Sequence, residues 1–187
     1  MKWFFASLVP AICLLGCAPD QDAARYVEAI EIPLDVATER HELAELLSDE
    51  ARRHSGLHVD DVSTRYARYH EDIELLPPDQ RPTVSISVWR GEDDDELVAT
   101  VDDLSHRGRV WATFLRGKNP EQEAPFREAA VELIRERWPN SKSLPILPSG
   151  GLPNEDHFVA TDEGYKLRRS EAHNYDLPPD SDLFAAN

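Results

Sequence analysis

Three segments in the middle of the chain alternate apolar and polar residues with the two-residue period of a half-buried strand. They restrict the fold more than any other feature of the sequence. Residues 83–90 put Val84, Ile86 and Val88 on one face and Ser85, Ser87 and Trp89 on the other. Residues 97–101 set Leu97, Ala99 and Val101 to one side, and residues 109–115 do the same with Val110, Ala112 and Phe114. The first connection is an acidic turn from Gly91 to Glu96, so the three read as an antiparallel meander with one apolar face. Such a face has to be covered. Two amphipathic helices offer the cover. In residues 38–54, Leu43, Leu46, Leu47 and Ala51 recur at helical spacing, with Thr38 as a cap and Gly56 as a stop. In the second helix Asn119 caps, Pro120 takes the first helical position and Gln122 completes a capping box. Phe126, Ala130, Leu133 and Ile134 then continue an apolar stripe as far as Trp138 and Pro139.

Outside these elements, residues 26–33 alternate as an edge strand closed by Pro33, with Val27, Ala29 and Glu31 on one face and Tyr26, Glu28, Ile30 and Ile32 on the other. Residues 57–69, rich in Val, Thr and Tyr, read as a further strand bulged near Asp60 and Asp61. Pro77, Pro78 and Pro82 then stiffen a connector. After Pro139 the prolines at 145, 148, 153, 178 and 179 predict irregular structure laid over the sheet. The expected fold is α+β: an antiparallel sheet of four to five strands with two helices on one face and a Pro-rich C-terminal tail. The expected division is a removed leader (1–16), a tether (17–25), one globular domain (26–177) and a flexible end (178–187).

The leader rests on the first residues. Lys2 precedes an apolar run from Trp3 to Leu15 that is too short to span a bilayer, and the run closes in Leu14, Leu15, Gly16 and Cys17. These four residues resemble the lipobox of bacterial lipoproteins. The resemblance implies that the sulfur of Cys17 is lipidated, that the chain is cut before it, and that the new amino group is acylated, which anchors the protein in a bilayer. It also implies a cell-envelope location, and Ala18 at the next position favours the periplasmic side of the outer membrane. With Cys13 removed and Cys17 lipidated, the globular part has no cysteine for a disulfide.

A formal net charge of −16 repels phosphate backbones and argues against nucleic acid, while leaving a basic protein partner open. Trp89 and Trp111 share parity with Ser85, Ser87, Thr113 and Arg109 and belong on the sheet face away from the helices. Trp89, Trp111, Arg109, Ser85 and Ser87 are therefore the candidate partner-binding residues, unless the tail folds over this face and buries both rings.

No metal or other cofactor is expected. Glu92, Asp93, Asp94, Asp95 and Glu96 lack the alternating ligands of a calcium loop, and Gly56 breaks the helical spacing of His54 and His58 that zinc would need beside Asp60 or Asp61. His157, beside Glu155 and Asp156, reads as a loop residue. Ser149 precedes Gly150 and Gly151 without an assignable base, and no free cysteine or nucleophile elbow offers covalent catalysis. The resulting expectation is a lipid-anchored envelope protein that binds a protein partner and catalyses nothing, as an inhibitor or immunity protein against a basic toxin or hydrolase. The alternatives are an envelope hydrolase using carboxylates and a structural envelope-assembly lipoprotein.

Overall fold

The computed structural model describes residues 25–72, 83–91, 96–103 and 109–186. The leader, the lipobox residues with Cys17, and Glu92–Asp95 of the acidic turn lie outside the described residues. The architecture is α+β, built on a six-stranded sheet whose strand pairs are all antiparallel. Its strands are β1 (Tyr26–Ile32), β2 (Leu57–Asp61), β3 (Ser85–Arg90), β4 (Glu96–Asp102), β5 (Val110–Leu115) and β6 (Lys142–Ser143), in the order β2-β3-β4-β5-β1-β6. The meander of β3, β4 and β5 is present, and β1 is not the edge strand expected, because it pairs with β5 on one side and with the short β6 on the other. Six strands exceed the four to five expected, because Lys142 and Ser143 pair with Glu31 and Ile30 at the edge.

Helices α1 (Val36–Ala51) and α3 (Pro120–Arg137) cover one face. Leu43, Leu47 and Ala51 from α1 and Phe126, Ala130 and Ile134 from α3 pack on Ile30, Ile86, Val88, Val101, Ala112 and Phe114 of the sheet. Helix α1 begins two residues before Thr38, and the Glu39 carboxylate accepts a hydrogen bond from the Asp35 amide at its start. At α3 Pro120 holds the first position as read, but Asn119 makes no side-chain cap; its carbonyl receives the amides of Gln122 and Glu123 instead.

Three further departures have physical causes. Residues 57–69 are not one strand: β2 stops at Asp61 and α2 (Ser63–Asp72) follows. Asp61 turns the chain there, its carboxylate taking the amide of Ser63 at 3.0 Å while the Ser63 hydroxyl accepts the Ser85 amide at 2.9 Å. In β4, a bulge opposite Val88 and Trp89 sends Val98 into the core together with Ala99, and sets Leu97 opposite Trp89 instead of on the core face. The tail, finally, is only partly irregular. It holds the hairpin of β7 (Phe158–Thr161) and β8 (Gly164–Leu167) and two 3-10 turns, Glu155–His157 and Arg169–Asn174. Within segment 178–187, Phe184 is buried and the amide of Ala185 donates to Leu167.

The hairpin is held close to the sheet edge by Gly164, whose φ is +134° and whose missing Cβ would stand 2.6 Å from the Ser143 carbonyl oxygen. Gly164→Ala is expected to destabilise the protein by more than about 1 kcal/mol, from strain and collision together. Phe126→Ala, at a fully buried contact, should cost about 3–5 kcal/mol. Urea unfolding midpoints check both.

Candidate functional site

The sheet face turned away from α1 and α3 is organised in rows across the strands. One row runs Ser85, Asp102, Trp111, Glu31, Lys142; the next runs Asp60, Ser87, Thr100, Thr113, Ala29; a third joins His58, Trp89 and Leu97. The C-terminal tail lies on only part of this face. Trp111, Ala29 and Leu144 are buried beneath Phe158, Leu167 and Phe184, with Trp111 reduced to 2% exposure and its ring stacked on Phe158 at 5.9 Å. Trp89 lies in the other half, made by β2, β3 and β4, and belongs to neither apolar cluster.

The tail is fastened by a polar group at the centre of the covered half. Glu31 projects from β1 toward the tail. One oxygen accepts the indole N–H of Trp111 at 3.1 Å and a bond from Arg109, and the other accepts the Tyr165 hydroxyl at 2.7 Å. Arg109 also approaches Glu155 at 3.5 Å, and its guanidinium lies 5.0 Å from the Tyr165 ring and 5.5 Å from the Trp111 ring. Desolvation first, and the Glu31 carboxylate second, push the Tyr165 hydroxyl above its ordinary pKa. The pairing of opposite charges and the aromatic cover make this group a fastening between layers.

The candidate residues are thus divided. Ser85, Ser87 and Trp89 remain on the uncovered half, partly exposed, whereas Trp111 and Arg109 are committed to the tail. The sequence reading omitted His58, Asp60, Thr100 and Asp102 from the open face; simple alternation with Ala99 and Val101 finds Thr100 and Asp102, and the pairing of β2 with β3 adds His58 and Asp60. Thr100 shares a hydroxyl–hydroxyl bond of 2.8 Å with the buried Thr113, and Asp60 is 3.5 Å from Arg65 of α2.

Among the described residues the histidines do not gather. His54 meets the buried Glu50 at 2.9 Å and sets its ring edge-on to Phe126, while His58 stands on the opposite sheet face. His157 bonds the Tyr175 hydroxyl at 2.8 Å. Among the described residues no group of three or more His, Cys, Asp or Glu side chains is placed to hold a metal, and no helix is long and apolar enough to cross a membrane. Glu96, at the end of the acidic turn, accepts the amide of Lys118.

No family model and no solved structure matches the chain. Among curated proteins it is similar to the bifunctional protein PyrR of Mycobacterium tuberculosis (strain ATCC 25177 / H37Ra) and of Mycobacterium bovis (strain BCG / Pasteur 1173P2). Each is 36% identical over 76 residues, which is 41% of this chain and 38% of PyrR. The chain thus spans about two fifths of the length of these relatives. That similarity points to a different function and overturns the expectation of an inhibitor or immunity protein against a basic toxin or hydrolase, together with the alternatives of a hydrolase using carboxylates and a structural assembly protein.

Tyr165 keeps its proton to higher pH in the folded chain than in the unfolded one, so its contribution is whole below pH 10.0, the ordinary value, and is lost as pH rises through the raised one. Tyr165→Phe is expected to cost about 1–3 kcal/mol through loss of a hydrogen bond to a charged acceptor. It should also flatten the fall in stability above that pH. Urea titrations at a series of alkaline pH values measure both effects.

Proposed function

We propose that this chain is a binding domain for a ligand carrying an ammonium or guanidinium group, recognised on the uncovered half of the sheet. The observation that carries this reading is the unequal cover. The tail buries Trp111 and leaves Trp89 partly exposed, flanked across the strands by His58 and Leu97. Asp60 and Asp102 stand on the same face, with the hydroxyls of Ser85, Ser87 and Thr100 between them. An indole face attracts a cation by about 0.5–1 kcal/mol at an exposed site, and the Asp60 carboxylate in the neighbouring row, which Arg65 already approaches at 3.5 Å, adds a charge-assisted hydrogen bond. A net charge of −16 supplies a long-range field that raises the local concentration of cations and speeds their encounter. The face is carried by β-strands packed on two helices, so its side chains are held by a rigid support.

Titration of the full chain with tri-arginine, followed by tryptophan fluorescence, tests the reading. A saturating change is expected that falls as salt rises, is absent with tri-glutamate, and weakens about fivefold in Trp89→Ala, the factor that ~1 kcal/mol implies. Asp60→Asn combined with Asp102→Asn should weaken it further. Equal binding by wild type and Trp89→Ala overturns the assignment.

A further inference from the structure

The edge of the same half-sheet is formed by β2, and its backbone presents hydrogen-bonding groups outward. The amide of Gly91 donates to the Gly56 carbonyl at 3.0 Å and the amide of Val62 donates to Ser85 at 2.9 Å. In the β2–β3 register these two links share parity with the pairs His58–Trp89 and Asp60–Ser87, so those residues exchange the ladder bonds. Val59 and Asp61 therefore direct their N–H and C=O groups away from β3. Among the described residues no strand pairs with β2 on that side.

Beside this edge runs an open groove of about 510 Å³ between α1 and β2. Ala44 and Val59 form its apolar part, and Glu45, Asp49 and Asp61 bring three carboxylates to a lining whose one arginine is Arg52, with Arg40 standing 4.0 Å from Asp61 just outside it. Arg52 is already paired with Asp49, and His41 lies 3.2 Å from Glu45. The lining is net negative on a strongly acidic chain.

We propose that β2 accepts an extended cationic polypeptide segment as a seventh strand of the sheet. The inference rests on the cation-binding reading for the chemistry of its ligand and goes beyond it by naming the segment and its mode of attachment. Main-chain bonds to Val59 and Asp61 hold the added strand, as in other cases of strand addition. Its side chains alternate between the two faces. One set enters the groove, where basic groups meet Glu45, Asp49 and Asp61 and apolar ones meet Ala44 and Val59. The other set extends the open face beside His58 and Asp60, toward Trp89.

The test uses the full chain and an acetylated, amidated eight-residue peptide of alternating lysine and valine, with a second peptide of the same sequence N-methylated at every other amide. The unmodified peptide is expected to bind and to slow amide hydrogen exchange at Val59 and Asp61. N-methylation, which keeps the charge and removes the donors of one edge, should weaken binding at least tenfold. Val59→Pro should do the same, since it removes a donor that β3 does not use, and circular dichroism reports whether that variant folds. The peptide comparison needs no variant at all. Glu45→Gln with Asp49→Asn should weaken binding and reduce its salt dependence.

Equal binding of the two peptides, or unchanged exchange at Val59 and Asp61, overturns strand addition and leaves the Trp89 surface standing if tri-arginine still perturbs it. Failure of the lysine–valine peptide to bind while tri-arginine binds has the same meaning. Failure of both ligands overturns both readings.

Discussion

The carboxylate of Glu31 is the point on which the layered structure depends. Strand β5 is buried along its whole length, from Val110 to Leu115, so it needs cover on both faces. On one side α1 and α3 provide it with ordinary apolar packing. On the other, the cover is a proline-rich segment that packs Leu144, Phe158, Leu167 and Phe184 against it, and directed bonds fix where that segment sits. Glu31 takes three donors from three parts of the chain: Arg109 before β5, Trp111 within it, and Tyr165 in the hairpin. A charge at 18% side-chain exposure would be costly alone; with three donors, one of them the Arg109 guanidinium, it fixes the position of the tail over the sheet. The extent of the cover follows, and with it which half of the face stays open.

The opposite end of the molecule is tied by a second buried carboxylate. Glu123, one residue of an otherwise apolar stripe on α3, is 1% exposed and receives two parallel bonds from Arg90 at 2.7 and 3.0 Å. Arg90 also donates to the Ser55 carbonyl, in the loop after α1. Buried pairs of this kind add little net stability, because desolvation offsets most of the attraction. Their consequence is geometric: the end of β3, the start of α3 and the loop after α1 must meet in one arrangement. A buried Asp103 does similar work at the other end of β3, accepting the amides of Thr83 and Val84. These bonds tie both ends of β3, the strand that carries Trp89, to the elements around it.

Much of this was legible in the sequence because it is periodic. Alternation in β1, β3 and β5 placed Ile30, Ile86 and Phe114 toward the helices and Glu31, Trp89 and Trp111 away from them, and the helical stripes of α1 and α3 were equally direct. What periodicity cannot carry is a local exception. The bulge in β4 reverses Leu97 without changing composition, and the valine- and tyrosine-rich run after Asp61 satisfies a strand pattern until one side chain caps the chain into α2. Contacts across long separations were illegible for a different reason. Glu31 and Tyr165 are 134 residues apart, and nothing local to either predicts that they meet. The division of the candidate residues into Trp111 under the tail and Trp89 outside it followed from that single unreadable contact.

An open strand edge is an invitation to self-association, and this one carries its own restraint. Asp60 and Asp61 are adjacent on β2, with Glu45 and Asp49 beside them on α1. If two copies paired through this edge, each would bring these carboxylates against the other's, within a pair of molecules each bearing sixteen excess negative charges. Like charges placed opposite one another on paired strands are destabilising, and charged edges are a common means of preventing such contacts. A segment of opposite sign meets no such barrier. The same residues that keep the edge free of its own kind thus select by charge what is admitted to it, so solubility and recognition have one electrostatic origin here.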